Sequence, residues 1–277
     1  MTTGRTALAA AVARLQAAGV PDAAGDARRL LAHALDCAPA RLLLELSEPL
    51  PKSVAARFEA DIAARAARRP VAQIIGARDF FGRRFGVTPD VLDPRPETET
   101  LVLAALEVPF ATVIDLGTGS GAILVTLLAE RPQARGIGTD LSAAALEVAR
   151  HNAAALGVGD RARFMRAHWY DGLAAQADLI VSNPPYIAAS EIAGLDPEPR
   201  EHEPRIALTD GGDGLAAYRA IAADARAHLC ARGRLMVEIG PTQADDVRAL
   251  MRAAGLRDIA LRRDLDGRAR VISARAP

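Results

Sequence analysis

A strand, a glycine-rich turn and a helix follow one another near the middle of the chain, and no other feature constrains the fold as strongly. The segment Thr112–Leu116 reads Thr-Val-Ile-Asp-Leu, which is typical of a buried strand. The turn Gly117–Gly121 contains three glycines and opens into the apolar segment 122–128. Glycines at this position let the backbone approach a ligand closely at the amino end of a helix. The succession therefore predicts a parallel α/β sheet that binds a ligand beyond the carboxyl ends of its strands.

Two acidic residues beside this turn indicate the kind of ligand. Asp115 directly precedes the turn, where its carboxylate can accept a hydrogen bond from a cationic amino group and would repel a pyrophosphate. The second predicted strand, 134–139, is followed by Asp140, which is placed to accept from both hydroxyls of a ribose. Nicotinamide and flavin enzymes also use a glycine turn, so the turn alone leaves the nucleoside open. The two acids together favour S-adenosylmethionine.

A second motif, Asn183–Tyr186, follows the fourth predicted strand at 177–182 and reads Asn-Pro-Pro-Tyr. Two consecutive prolines lack N–H groups, so the side-chain oxygen of Asn183 and the carbonyl of Pro184 have few competing donors. We expect each oxygen to accept one hydrogen of a planar NH2 group, while Tyr186 covers the flat face of that group. The corner is interpreted as a reaction centre for a carboxamide or a nucleobase amino group. The alternative is a Pro-Pro turn in which Asn183 caps its own backbone.

Trp169, the only tryptophan in the sequence, follows the third predicted strand at 162–166. Its ring is placed either beside a cofactor adenine or in the core, and in the first interpretation it belongs to the cofactor site. The predicted cofactor-binding residues are then Asp115, Gly117, Thr118, Gly119, Ser120, Gly121, Asp140, Trp169 and Asn183. The predicted catalytic residues are Asn183, Pro184 and Tyr186, and the predicted substrate-binding residues are Asn183, Pro184, Pro185 and Tyr186.

Composition argues against several classes of protein. The formal net charge is zero and Lys52 is the only lysine, so we expect no direct binding to nucleic acid, which needs a basic excess. No apolar run approaches the ~20 residues of a membrane-spanning helix. Cys37 and Cys230 lie far apart in the sequence and outside any Cys/His cluster, which predicts thiols in a reducing compartment and no metal site. These observations together predict a cytoplasmic protein that does not bind membranes.

The chain of 277 residues has room for an α/β domain and a smaller one. Residues 1–75 predict a helical bundle, and residues 76–92 predict a linker hairpin that joins it to a cofactor-binding domain at 93–277. Helical periodicity in the first part covers the stretches 5–18, 22–36, 40–46 and 52–69.

Two segments of the larger domain are harder to assign. The block Arg95–Glu99 precedes a predicted helix, and its charged residues Arg95 and Glu99 are interpreted as helix caps in preference to a lid over the cofactor. Segment 187–213 is rich in proline and acidic residues, and it predicts a long irregular loop that is functional or mobile. The remaining elements are predicted as helices at 214–230 and 241–254 and strands at 234–239, 257–263 and 268–275.

Over nearly its whole length the chain resembles the release factor glutamine methyltransferases, the PrmC/HemK family. The glycine turn is generic to S-adenosylmethionine enzymes, and Asn-Pro-Pro-Tyr is shared with amino-methylating DNA enzymes, but their combination with a helical amino-terminal domain is more specific. The resemblance rests on Arg95–Glu99, Asp115–Gly121, Asp140, Ser182–Ile187, His202–Pro204 with Ala207-Leu208, and Glu238–Gly240. It implies a seven-strand Rossmann-like class I methyltransferase sheet with a small N-terminal helical bundle.

The resemblance also implies an activity. S-adenosyl-L-methionine would donate a methyl group to the side-chain amide nitrogen of the glutamine in the Gly-Gly-Gln motif of class I peptide chain release factors, with the bundle at 1–75 docking the factor. A ribosomal-protein glutamine methyltransferase is the nearest alternative. A DNA adenine amino-methyltransferase, a nicotinamide oxidoreductase and a catalytically silent cofactor-binding scaffold are weaker ones.

The sequence departs from the family pattern at one position. Such proteins often have Asp-Trp where this chain has His168-Trp169. Two alternatives stay open: a contact on the adenine side is lost, or Asp171 substitutes for it.

Overall fold

The computed structural model describes residues 2–277 and divides into two compact units, the first ending at Ala77 and the second running from Arg78 to Pro277. The first unit is helical, and its core is a cluster of aliphatic side chains that includes Leu15, Leu30 and Ile62. Its helices are α1 (Gly4–Ala17), α2 (Ala23–Ala34), α3 (Leu42–Glu45), α4 (Lys52–Ala66) and α5 (Val71–Ile75), with a 3-10 turn at Pro39–Arg41.

Local sequence explains where these helices begin. The Thr3 hydroxyl accepts from the backbone N–H of Thr6 at the start of α1, and the Asp22 carboxylate accepts from Gly25 at the start of α2, as expected of N-cap residues. Helix α5 was not predicted, because five residues are too few to show a helical period.

A short hairpin follows, formed by β1 (Ala77–Phe80) and β2 (Arg83–Gly86). Phe80 and Phe85 are buried and meet edge to face, with ring centroids 6.0 Å apart and ring planes at 78°. Such edge-to-face pairs are favourable because the positive edge of one ring meets the negative face of the other. Both rings belong to the core of the second unit.

The second unit is built on a seven-stranded sheet in the order β5-β4-β3-β6-β7-β9-β8. Neighbouring strands from β5 to β7 pair in parallel, and β9 pairs antiparallel with both β7 and β8. This confirms the predicted class I methyltransferase sheet with its closing hairpin. The strands are β3 (Thr112–Leu116), β4 (Arg135–Asp140), β5 (Ala162–Arg166), β6 (Ala177–Ser182), β7 (Leu229–Glu238), β8 (Arg257–Arg263) and β9 (Ala269–Arg275).

Helices cover both faces of this sheet. One buried cluster joins the helices α6 and α7 to side chains of β3, β6, β7 and β9, and a second cluster joins α11 and α12 to the opposite face. The helices of this unit are α6 (Glu99–Leu106), α7 (Ala122–Glu130), α8 (Ala143–Ala155), α9 (Pro197–His202), α10 (Arg205–Leu208), α11 (Ala216–His228) and α12 (Ala244–Ala253).

The prediction of an irregular loop over 187–213 is wrong in part. The segment contains a 3-10 turn at Ile192–Gly194 and the two short helices α9 and α10. Pro197 occupies the first turn of α9 and Pro204 precedes α10, where a missing N–H costs nothing. Helices of four to six residues lie below the length that periodicity can reveal.

The described part of the chain has neither a helix suited to crossing a membrane nor a side-chain cluster suited to a metal ion. No helix within residues 2–277 has both the length and the apolar character that a membrane crossing requires. Over the same residues, no three or more His, Cys, Asp or Glu side chains are grouped so as to hold a metal ion.

Candidate active site

A cavity of about 370 Å³ lies beyond the carboxyl ends of the parallel strands. Its volume falls in the ~300–1,000 Å³ range of small-molecule sites, and its position is the one expected for ligands of parallel α/β sheets. Residues that follow β3, β4, β5 and β6 all line it. The predicted site residues that line the cavity are Gly117, Thr118, Gly119, Ser120, Asp140, Trp169, Asn183 and Pro185.

The glycine turn takes a backbone conformation that other residues adopt at a cost. Gly117, Gly119 and Gly121 have φ angles of 68°, 54° and 80°. Nothing lies within 4 Å of the place that a Cβ of Gly119 would occupy, so this side of the turn is open to a ligand. A Cβ on Gly121 would lie 3.2 Å from the Cβ of Ala149, so Gly121 instead permits close packing of the turn on α8.

Asp140 ties the turn to the end of β4. Its Oδ2 accepts from the backbone N–H of Gly119 at 2.9 Å, and its Oδ1 accepts from that of Ser142 at 2.8 Å. Burial raises the pKa of this carboxyl, while both backbone bonds lower it. Each oxygen keeps a further lone pair, so the carboxylate is positioned to accept from two vicinal hydroxyls at the cavity wall.

Asp115 lies behind the turn and is fully buried, at 0% exposure, and it is absent from the cavity wall. Its Oδ2 accepts from the hydroxyl of Thr118 at 2.7 Å, whereas its Oδ1 has no hydrogen-bond partner among residues 2–277. Burial raises the pKa of this carboxyl to about 7. Burying an oxygen without a hydrogen-bond partner costs free energy, so this oxygen of Asp115 can accept a further hydrogen bond.

Trp169 and His168 form the wall on the side of β5. Trp169 has a φ of 52°, unusual for a large side chain, and its carbonyl accepts from the hydroxyl of Thr139 at 3.0 Å. A Cβ on Gly117 would lie 3.5 Å from the Trp169 ring, so the indole packs against the glycine turn. His168 lines the cavity and Asp171 does not, so the structure does not place Asp171 where it could substitute on this wall.

The Asn-Pro-Pro-Tyr corner places only two of its residues on the cavity wall, Asn183 and Pro185. The Nδ2 of Asn183 donates to the hydroxyl oxygen of Thr98 at 3.1 Å, which leaves Oδ1 for another partner. Pro184 is buried, and Tyr186 is half-buried against the core with its carbonyl accepting from Gln243 at 2.9 Å. The catalytic roles of Pro184 and Tyr186 therefore stay predictions.

The capping interpretation of Arg95 and Glu99 is wrong for both side chains. The Glu99 carboxylate accepts from the backbone N–H of Phe81 at 2.8 Å instead of capping α6. Arg95 donates to both oxygens of Glu203, at 2.8 and 2.6 Å, and lines the cavity. The Glu203 side chain is only 1% exposed, and burial is the main cause that raises its pKa while Arg95 lowers it. This pair joins the segment before α6 to the segment between α9 and α10.

We expect Arg95→Ala to lower the free energy of unfolding by about 2–3 kcal/mol, because the buried Glu203 carboxylate would lose its charged partner. Urea denaturation measures this loss, provided that the free energy of unfolding depends on urea concentration with the same slope in the wild type and the variant. Arg219→Ala is the matched control: Arg219 lies 2.6 Å from Asp213, but both side chains are half-exposed, so stability should hardly change. Equal losses in the two variants would contradict a special role for the buried pair.

Sequence reasoning gave no role to Thr98, which lines the cavity, or to Glu203 and Glu238, which lie next to the cavity-lining residues Arg95 and Asn183. All three lie inside blocks that carry the family resemblance, and that was the only available signal. Their partners are far away in the sequence, as in the Asn183–Thr98 bond across 85 positions, so no local spacing points to them.

The site residues fit S-adenosylmethionine. A ribose diol matches the carboxylate of Asp140 on the cavity wall, whereas Asp115 lies behind the turn and off that wall. The open turn at Gly119 permits the close backbone approach that a nucleoside cofactor needs. Which of these residues contacts the cofactor stays a prediction.

Comparison with known proteins agrees with the fold. The model of the PrmC N-terminal domain matches residues 6–76, and that of the methyltransferase small domain matches residues 95–195. A release factor glutamine methyltransferase of Cereibacter sphaeroides is 62% identical over 271 residues, covering 98% of both chains. That of Burkholderia pseudomallei is 45% identical over 287 residues, covering 100% of both. The crystal structure of a methyltransferase from Pyrococcus furiosus matches with a TM-score of 0.55 at 16% identity, covering 78% of this chain and 96% of that one, and supports the fold.

The seven-stranded sheet with its closing hairpin and the glycine-turn cavity define a class I methyltransferase that uses S-adenosylmethionine. Identity of 62% over almost the full length of both chains then specifies the family more closely. The chain belongs to the release factor glutamine methyltransferase family.

Proposed function

We propose that this protein methylates the side-chain amide nitrogen of the glutamine in the Gly-Gly-Gln motif of class I peptide chain release factors. The observation that carries the proposal is the Asn183 amide on the wall of the cofactor cavity, with its Nδ2 held by Thr98 and its Oδ1 left to accept from a substrate amide. The family assignment supports the same substrate, because the relatives carry the name release factor glutamine methyltransferase.

The chemical difficulty lies in the acceptor. An amide nitrogen is a poor nucleophile because its lone pair is delocalised into the carbonyl, as in a peptide bond. The Asn183 side-chain oxygen and the Pro184 carbonyl hold the two N–H groups, which turns the nitrogen lone pair toward the methyl group. Tyr186 restricts the amide from the side. Orientation of two bound reactants can lower a barrier by as much as ~7–11 kcal/mol.

When bound, S-adenosylmethionine would supply a methyl group on a positively charged sulfur, and the S–C bonding pair would return to the sulfur as the N–C bond forms. Asp115 and the glycine turn would hold its amino acid end, and Asp140 and Trp169 would hold its nucleoside. The alkylated nitrogen becomes strongly acidic and loses one proton to water or to a carbonyl. A dedicated general base is therefore not required.

The parts of the chain have different roles. The helical bundle at 1–75 holds the release factor, the hairpin at 76–92 links the bundle to the larger domain, and residues 93–277 carry out methyl transfer. Leu43 and Leu44 on α3 support the docking role, since both side chains are exposed and together offer an apolar surface. The protein acts in the cytoplasm, where translation termination takes place.

We expect labelled methyl to pass from S-adenosylmethionine to a purified class I release factor and to be absent from the variant whose Gly-Gly-Gln glutamine is replaced by alanine. Scintillation counting of the separated proteins, followed by peptide mapping, measures the transfer. Ribosomal protein and duplex DNA serve as parallel acceptors. Label on either of these, and none on the factor, would overturn the substrate, and no label on any acceptor would favour a scaffold that binds cofactor without transferring methyl.

A further inference from the structure

One buried carboxyl beside the active site has no part in the mechanism above. Glu238 is the last residue of β7 and is 1% exposed, and its Oε2 has no hydrogen-bond partner among the described residues. Burying a carboxylate costs several kcal/mol unless it is paired and hydrogen-bonded. Glu238 does not line the cavity, so any effect on the substrate must pass through another residue.

The sheet register identifies that residue. Ser182 of β6 pairs with Val237 of β7 in parallel, which makes Asn183 and Glu238 the next neighbours at the end of the two strands. Thr98, just before α6, lies between them. Its hydroxyl oxygen accepts from Nδ2 of Asn183 at 3.1 Å, and its side chain faces the Glu238 carboxyl and lowers the pKa of that group. Asn183, Thr98 and Glu238 therefore follow one another as a chain of polar groups in which Thr98 can donate to Glu238.

The number of hydrogens that each group can donate determines which group is the donor at each step of this chain. An ionised carboxylate only accepts, and a threonine hydroxyl has a single hydrogen to donate. When Glu238 is ionised, that hydrogen goes to Glu238, and the Thr98 oxygen keeps its lone pairs for Nδ2 of Asn183. We propose that Glu238 and Thr98 are positioning residues that hold the Asn183 amide with its oxygen toward the substrate. The proposal rests on the proposed function, in which that oxygen accepts from the glutamine amide.

Protonation of Glu238 removes this preference. The neutral acid can donate to Thr98, which then donates its own hydrogen to the Asn183 oxygen and turns the Asn183 NH2 group toward the cavity. Two NH2 groups cannot accept from each other, so the substrate amide would lose its acceptor. The methyl-transfer step is therefore expected to require the ionised form of Glu238.

The surroundings of Glu238 place its change of protonation state near neutral pH. Arg270 of β9 lies 3.9 Å from Oε1 of Glu238 and is itself held by Asp264 at 3.1 Å. Burial is the largest cause and raises the pKa of Glu238 to about 7; the Thr98 bond and Arg270 lower it. The other groups that face it are the charged side chains of Arg95 and Glu97 and the phenols of Tyr186 and Tyr218.

The direction of the pH dependence of kcat follows from which protonation state of Glu238 is active. Because the ionised carboxylate is needed, kcat should be full above the pKa of Glu238 and should fall as pH drops through about 7. In the acid limb the fall approaches about tenfold per pH unit, as for a single essential group. The dissociation constant for S-adenosylmethionine should stay constant over the same range.

The test is the pH profile of kcat for methyl transfer to the release factor by the full-length enzyme and its variants. Glu238→Gln cannot ionise, so its kcat is expected to be independent of pH between about 5.5 and 8 and at least roughly tenfold below the wild-type value at pH 8. Thr98→Val should lose roughly 10- to 100-fold in kcat, and Thr98→Ser should restore most of it. A Thr98→Val, Glu238→Gln double variant should be no slower than Thr98→Val alone, because both changes break one chain.

Two controls match these changes outside the site. Thr126→Val removes a buried hydroxyl that has no hydrogen-bond partner within residues 2–277, and Glu130→Gln neutralises a carboxylate paired with Arg83; both should keep the wild-type profile. An acid limb in Glu238→Gln like that of wild type, or a wild-type kcat in Thr98→Val, would overturn the proposal while methyl transfer itself stands. Absence of transfer by the wild-type enzyme would overturn the proposed function instead. If Glu238→Gln fails to fold, the two Thr98 variants still test the proposal.

Discussion

Asn183→Ala is expected to lower kcat for methyl transfer by roughly 100-fold or more, the range found when one preorganised polar group is deleted from an active site. The variant removes the side-chain oxygen that in the proposed function accepts from the glutamine amide, and with it the bond from Nδ2 to Thr98. The nitrogen lone pair then has no fixed direction, and the contribution of orientation is lost. Single-turnover kinetics with saturating cofactor and release factor measures the chemical step directly.

Cofactor binding separates this role from a general loss of structure. The dissociation constant of S-adenosylmethionine, measured by calorimetry, should change little in Asn183→Ala, because the glycine turn and Asp140 remain. Gln176→Ala is a matched control that removes a side-chain amide just before β6, at the other end of that strand, and it should retain full kcat. A near-normal kcat in Asn183→Ala would exclude the proposed role of its side chain.

Local sequence was sufficient for the elements whose signal lies within a few residues. The strand, glycine turn and helix at 112–130 form as expected, because buried strands, turns with positive φ and helix starts each have their own residue preferences. The closing strands are found at Arg257–Arg263 and Ala269–Arg275, within one residue of the predicted bounds. The cavity at the strand ends also follows from topology alone.

Side-chain partners across the fold could not be predicted in the same way. Arg95 was interpreted as a helix cap, yet it pairs with Glu203, 108 positions away. Arg95 has this partner because the segment between α9 and α10 places Glu203 beside it. The two helices are too short to show a periodic pattern in the sequence. The position of Glu238 beside Asn183 likewise depends on the register of two parallel strands that three helices separate in the sequence. Such pairs become visible only when the sheet is assembled, because register is set by packing over the whole face.

Asp140 is the residue whose loss should weaken cofactor binding most. We expect Asp140→Ala to raise the dissociation constant of S-adenosylmethionine by about 100-fold or more, since two charge-assisted bonds at roughly 1.5–3 kcal/mol each would be lost. The variant also frees the N–H groups of Gly119 and Ser142, which loosens the turn that faces the cofactor. Calorimetric titration at constant ionic strength measures the change.

The isosteric variant distinguishes the two contributions. Asp140→Asn keeps one side-chain oxygen, which can still accept, but its NH2 group cannot accept a hydrogen bond from a backbone N–H or from a hydroxyl. Its dissociation constant should therefore lie between those of wild type and Asp140→Ala. Asp178→Asn is the matched control, because Asp178 also accepts two backbone N–H groups, those of Ala111 and Thr112, but at the opposite end of the sheet. It should bind cofactor like wild type, whereas wild-type affinity in Asp140→Ala would remove Asp140 from the cofactor site.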